Sequence, residues 1–245
     1  MTRRALCLAA VVAMALIVAP AAWAQTVTLD LGDSGSSTGH LVQLLLMLTV
    51  LSLAPAILIT VTSFTRIIVV LSFLRSALGT QQTPPNIVLV SLALFLTGFV
   101  MAPSLQTAYN NGIAPLIENK IDDTTAFDRT VAPLHDFMMA HVREQDLQLF
   151  TGMAKLDPPA DPKDTSLRAL IPAFMVSELR RAFEIGFLLF LPFLIIDIVV
   201  ASILMSMGMM MLPPVTISLP FKLIFFVLVD GWYLVAGSLV QSFGT

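Results

Sequence analysis

Apolar and polar positions fall into blocks along this chain, and the blocks predict nearly every element. His40 to Leu78 is apolar apart from Arg66 and Arg75 and is broken by Pro55. It is too long for one membrane span, which needs about 20 residues. We therefore read a helix from Leu41 to about Val61 and a second from Ser63 to Leu78, with Thr62 or Ser63 capping the second start. Gly79-Thr80-Gln81-Gln82-Thr83-Pro84-Pro85 reads as a turn, and Asn86 to Met101 as the next apolar helix, ending near Pro103. Ser104 to Leu167 is different material, with ten acidic and five basic residues. Within it Ala132 to Phe150 reads as one helix, with Leu134, Phe137, Met138, Val142 and Leu149 close to one face. Asp157 to Pro162 is a proline-rich loop. Arg168 to Leu212 and Val215 to about Val240 form a final apolar hairpin, turned at Leu212-Pro213-Pro214.

These blocks divide the chain into a leader (1–24), a polar, glycine- and serine-rich exported N-terminus (25–40), a first apolar helical region (41–103), an acidic insert (104–167) and a C-terminal hairpin (168–245). The leader carries the marks of a secretory signal: Arg3 and Arg4, the apolar run Ala5 to Val18, then Ala22-Trp23-Ala24 before Gln25. Cleavage is expected between Ala24 and Gln25. It would remove Cys7, the single cysteine, so the mature chain is expected to have no disulfide and no thiolate site. Loss of Arg3 and Arg4 would take the net charge from −3 to −5, a balance unsuited to nucleic acid.

Composition sets the class. With 57% hydrophobic and 12% charged residues, the chain lies far from the soluble average of about 25% charged. The reading is all-α: long apolar helical hairpins with one acidic extramembrane helical insert. The positive-inside rule agrees with it only in part. A cleaved N-terminus outside puts Arg66 and Arg75 inside and the acidic insert outside, but Arg168, Arg180 and Arg181 also fall outside. We read this as helices covered by other protein chains rather than by lipid alone.

No catalytic constellation is present: no H-E-x-x-H, no G-x-S-x-G, no phosphate-binding glycine loop. We expect no enzyme activity and no cofactor. His135 and His141 stand six apart, poor spacing for a shared metal, and are expected to be solvated. Two features carry more. Glu178, Arg180, Arg181 and Glu184 open the long apolar helix, with Glu178–Arg181 and Arg180–Glu184 at pairing distances along it. The cluster is either a helix start at an aqueous boundary or an inter-helix or inter-subunit ion network, one that includes Lys222 in the opposite arm. Asp197 and Lys222 lie inside apolar stretches, where charge has a partner or a task such as proton relay. Met207, Met209, Met210 and Met211 surround Gly208 before the two prolines. They are either core filler or a deformable seal.

PAFMVSELRRAFEIGF (Pro172 to Phe187), SMGMMMLPP (Ser206 to Pro214) and TSFTRIIVVLSFLRSALGTQQTPPN (Thr62 to Asn86) resemble the signature stretches of the FliP family, part of the type III secretion export gate. The resemblance runs from Leu41 to the C-terminus, and the leader favours the flagellar branch. It implies a ring of five copies, joined by FliQ and FliR and by other export-apparatus and basal-body proteins in the bacterial inner membrane. The acidic insert would face the periplasm. Unfolded flagellar substrates would pass through the centre, sealed by Met207, Met209, Met210 and Met211. Glu178, Arg180, Arg181, Glu184, Asp197 and Lys222 would serve the ion-pair network of assembly, and Phe137, Phe150 and Phe187 are apolar interface candidates. A small secondary transporter built on Asp197 and Lys222 is the rival reading, and it calls for an internal repeat that the hydropathy pattern lacks.

Overall fold

The computed structural model describes residues 37–80, 82–156, 162–209 and 211–244. The expected leader, its Ala24–Gln25 junction, the Asp157–Asp161 part of the loop and Met210 lie outside these. The chain divides into two units, Met1–Ser52 and Leu53–Thr245. The described part of the first is helical, the opening of α1 (Ser37–Thr60).

In the second unit α1 ends and α2 (Phe64–Leu78) begins after a short turn. The cap is Thr62: the Phe64 amide donates to its hydroxyl at 3.4 Å, while Ser63 makes no side-chain cap. α3 (Asn86–Ala108) follows the predicted turn. It does not stop at Pro103. It runs on through a π-helical turn (Tyr109–Ile113) into the short α4 (Ala114–Ile117). Proline removes one helical hydrogen bond, but Ala108 and Gly112 are buried where this stretch packs on α5, and that packing outweighs the loss.

The acidic segment also departs from expectation. The single helix expected from Ala132 to Phe150 is two, α5 (Asp123–His141) and α6 (Glu144–Met153). Val142 and Arg143 are extended between them, because the Arg143 amide donates to Ser177 Oγ of the next long helix at 3.0 Å. α5 is capped by Asp122, whose carboxylate accepts from the Thr124 and Thr125 hydroxyls and the Thr125 amide. These bonds hold its pKa well below the usual carboxylate range. Most of the apolar face anticipated on this segment turns inward: Met138 is buried with Val61, Leu170 and Phe174, and Leu134, Phe137 and Val142 pack on them, whereas Leu149, on the separate α6, is 54% exposed.

α7 (Leu167–Ser206) is 40 residues long and passes through Pro172 and Pro192. At 1.5 Å per residue it spans about 60 Å, twice the ~30 Å hydrocarbon layer. The return arm is broken where a single helix was expected. α8 (Pro214–Leu228) and α9 (Gly231–Gln241) meet at 64° around Asp230, which adopts left-handed φ 50. The Phe226 ring occupies the space beside Gly231: a Cβ there would lie 2.1 Å from it, so only glycine lets the chain fold back.

The main core gathers Ile67, Val70 and Leu74 of α2, Ala93 of α3, Phe226 of α8 and Leu239 of α9. Outside it the surface is unusually apolar: Phe95, Phe99, Phe187, Ile195, Val227 and Leu228 are all more than half exposed. Asn86–Ile117 and Leu167–Ser206 are each long and apolar enough to cross a membrane. Among the described residues the chain is entirely helical and turn, with no strand.

Candidate functional site

Three features stand along α7, in order: a buried ion pair, a half-open ion pair, and a methionine turn. The first begins with Arg66, in the opening turn of α2 and 2% exposed. Its Nε and Nη2 donate to the two carboxylate oxygens of Glu178 at 2.8 and 2.5 Å, a bidentate fork. Its Nη1 donates to the backbone carbonyl and the hydroxyl of Ser242, both at 3.0 Å. The guanidinium lies 3.7 Å from the centre of the Phe243 ring, a cation–π contact in a desolvated place. Phe243 in turn stacks at 6.1 Å on Phe137. The pair therefore joins α2, α7 and the chain's last residues beside α5.

Sequence spacing paired Glu178 with Arg181, and here the structure differs. Glu178 points inward at 0% exposure, whereas Arg181 points out and bonds Glu184 at 3.2 Å. Arg180 bonds the same carboxylate at 3.1 Å. Two residues three apart on a helix pair only when both side chains share a surface. Glu178 faces α2, and a fork from a neighbouring helix satisfies both its oxygens. Ser177 adds a second stitch, accepting from the Arg143 amide while lying 2.7 Å from Asp146.

The second pair crosses the hairpin. Lys222 Nζ of α8 donates to Asp197 Oδ2 of α7 at 2.6 Å and to the Ala77 carbonyl at 3.0 Å. Ser218 donates to the other Asp197 oxygen at 2.5 Å. Ala77 sits in the last turn of α2, so Lys222 places its charge on a helix-end carbonyl, where the helix dipole is negative. The Lys222 side chain is 4% exposed and that of Asp197 25%.

The third feature is how α7 ends. Gly208 has φ 74. Its amide donates to Met205 O and the Met209 amide to Leu204 O, each at 3.0 Å. This is the Schellman pattern, which a left-handed glycine completes. Pro213 and Pro214 then open α8, where proline's missing donor costs nothing. Met207 is 63% and Met211 99% exposed, with Met209 half-buried. The turn is closed through its backbone, with the Met207 and Met211 side chains exposed.

The remaining candidates scatter. Phe137 is partly buried, tilted on His141 at 4.5 Å and edge-on to Phe174 at 5.9 Å. Phe150 is half-buried and Phe187 63% exposed. The histidines are not freely solvated: His135 is buried with Nε2 2.9 Å from Thr165 O, and His141 Nδ1 lies 2.8 Å from Phe137 O. No group of side chains suited to a metal occurs among the described residues. Sequence reasoning missed the roles of Arg66, Ser242 and Phe243. The available signal was Arg66 itself, an arginine in an apolar block that needs a carboxylate from elsewhere.

Comparison with known proteins meets the same elements. The sequence model of the FliP family matches residues 47–239. The flagellar biosynthetic protein FliP of Caulobacter vibrioides is 57% identical over 243 residues, 98% of this chain and 91% of that protein. That of Bacillus subtilis is 58% identical over 202 residues, 82% of this chain and 91% of its own. That of Pectobacterium carotovorum is 53% identical over 231 residues, 93% and 90% of the two chains. The match spans all three features on α7, so the chain belongs to the FliP family.

Proposed function

We propose that this chain is a core subunit of the flagellar type III protein export gate in the bacterial inner membrane. Copies of it, five by the family resemblance, form a ring with FliQ and FliR, and unfolded flagellar substrates pass through the centre. The acidic segment 104–167 lies on the periplasmic side. Met207, Met209, Met210 and Met211 close the channel. The relatives' shared description as flagellar biosynthetic proteins supports the process. One observation carries the seal. At Gly208 a backbone turn closed by two hydrogen bonds carries the exposed thioethers of Met207 and Met211. Core filler would be buried. Unbranched thioethers at a constriction exclude water and rearrange at low cost when a chain passes. The ion pairs at Glu178 and Asp197 position α7 and α8 behind that turn.

Replacing Met209, Met210 and Met211 together with Ala tests the seal. The complex should assemble at wild-type level, and the membrane should leak ions. An assembled complex that stays ion-tight overturns the seal, and loss of the complex assigns the methionines to packing. The native mass of the wild-type assembly tests the ring, since a monomer favours a transporter.

A further inference from the structure

Two apolar patches of this chain carry unbalanced charges of opposite sign. On α7, Arg180 and Arg181 share one carboxylate, Glu184. Their side chains are 58% and 62% exposed, among the exposed Phe183, Phe187 and Leu188. The patch thus carries one surplus positive charge in an apolar face. At the α8–α9 corner, Asp230 is exposed and makes no side-chain bond; among the described acidic residues of the apolar helices it alone does so. Val227, Leu228, Tyr233 and Leu234 around it are 52–79% exposed. Its left-handed φ of 50 is one that a non-glycine residue holds at a cost, and such outliers collect at functional places. The corner lifts a bare carboxylate out of an apolar ridge.

We propose that these patches are the two halves of one contact between neighbouring copies: the Asp230 corner of one chain seats on the Arg180–Arg181 face of the next. The inference rests on the ring reading above. The charges cancel, two from arginine against Glu184 and Asp230. Aromatic and arginine side chains are those that dominate interface energetics. A contact between two different patches of the same chain is heterologous. It leaves the joined pair with one free patch of each kind, which propagates a ring or a helical turn rather than stopping at a dimer.

Cysteine cross-linking reads this directly. In the full chain with Cys7→Ser, Arg181→Cys combined with Asp230→Cys should give a ladder of covalent oligomers in the membrane-purified complex. Each single-cysteine chain should give none. No ladder from a complex of wild-type native mass overturns the contact. A dimer from Arg181→Cys alone does so too, since that patch would then meet itself. Charge exchange is the second measurement. Asp230→Arg and Arg181→Asp should each lower the assembled fraction about tenfold or more, and the two together should recover most of it. Loss of co-purified anionic lipid in Arg181→Asp at unchanged native mass would assign the arginines to lipid headgroups and overturn the proposal. A monomeric wild type would instead remove the ring reading itself.

Discussion

The two ends of α7 solve opposite problems. Its first third is bonded to saturation: Glu178 has no exposure and both oxygens taken. Its last turn is saturated only in the backbone and leaves Met207 and Met211 bare. Between them the Asp197–Lys222 pair is intermediate, closed on the lysine side and 25% exposed on the carboxylate side. One helix thus passes from a buried, ion-paired end to one whose side chains are exposed.

Substitutions at three levels of α7 and in the residues paired with them grade this contrast. Glu178→Ala leaves the buried Arg66 guanidinium without its carboxylate. The expected loss is about 3–5 kcal/mol of stability, read as a collapse in folded, membrane-extracted protein. Arg66→Lys should not substitute, because an ammonium cannot form the two-oxygen fork. Near-normal yields from either would place the rigid end elsewhere. Lys222→Met should cost less, about 2–3 kcal/mol, since Asp197 keeps Ser218 and some solvent. Adding Asp197→Asn should recover most of it, as removing both partners of such a pair often does. Thermal unfolding of the two variants in detergent decides this, and a further drop in the double variant would contradict the pair's isolation. Gly208→Ala should cost the least, about 1 kcal/mol. Among the described residues, its chain neighbours aside, no atom lies within 4 Å of the added methyl, so the left-handed backbone is what resists it. A larger loss would mean the turn is packed after all.

Much of this is legible in the sequence because hydrophobic blocks dictate helices. The helices from Phe64 and Asn86 and the hairpin turn at Pro213-Pro214 all stand where the pattern put them. What the pattern misjudged was decided across the chain. Pro103 reads as a stop until Ala108 and Gly112 find α5, and Val142 reads as helix until Ser177 takes the Arg143 amide. The sites follow the same division. Glycine, methionine and two prolines describe their own turn, because every bond of the Schellman closure is local. Glu178 has its partner 112 residues away, beyond the reach of any spacing rule.

That separation has a consequence in time. Arg66 leaves the ribosome long before Glu178 and longer still before Ser242 and Phe243, its other partners. At synthesis rates of about 5–20 residues per second, 112 residues take on the order of ten seconds. Through that interval α2 carries a guanidinium that cannot enter an apolar interior unpaired. The nascent helix stays at a wet or headgroup-lined boundary until α7 arrives. Ser242 and Phe243, translated later still than Glu178, then close the site around it.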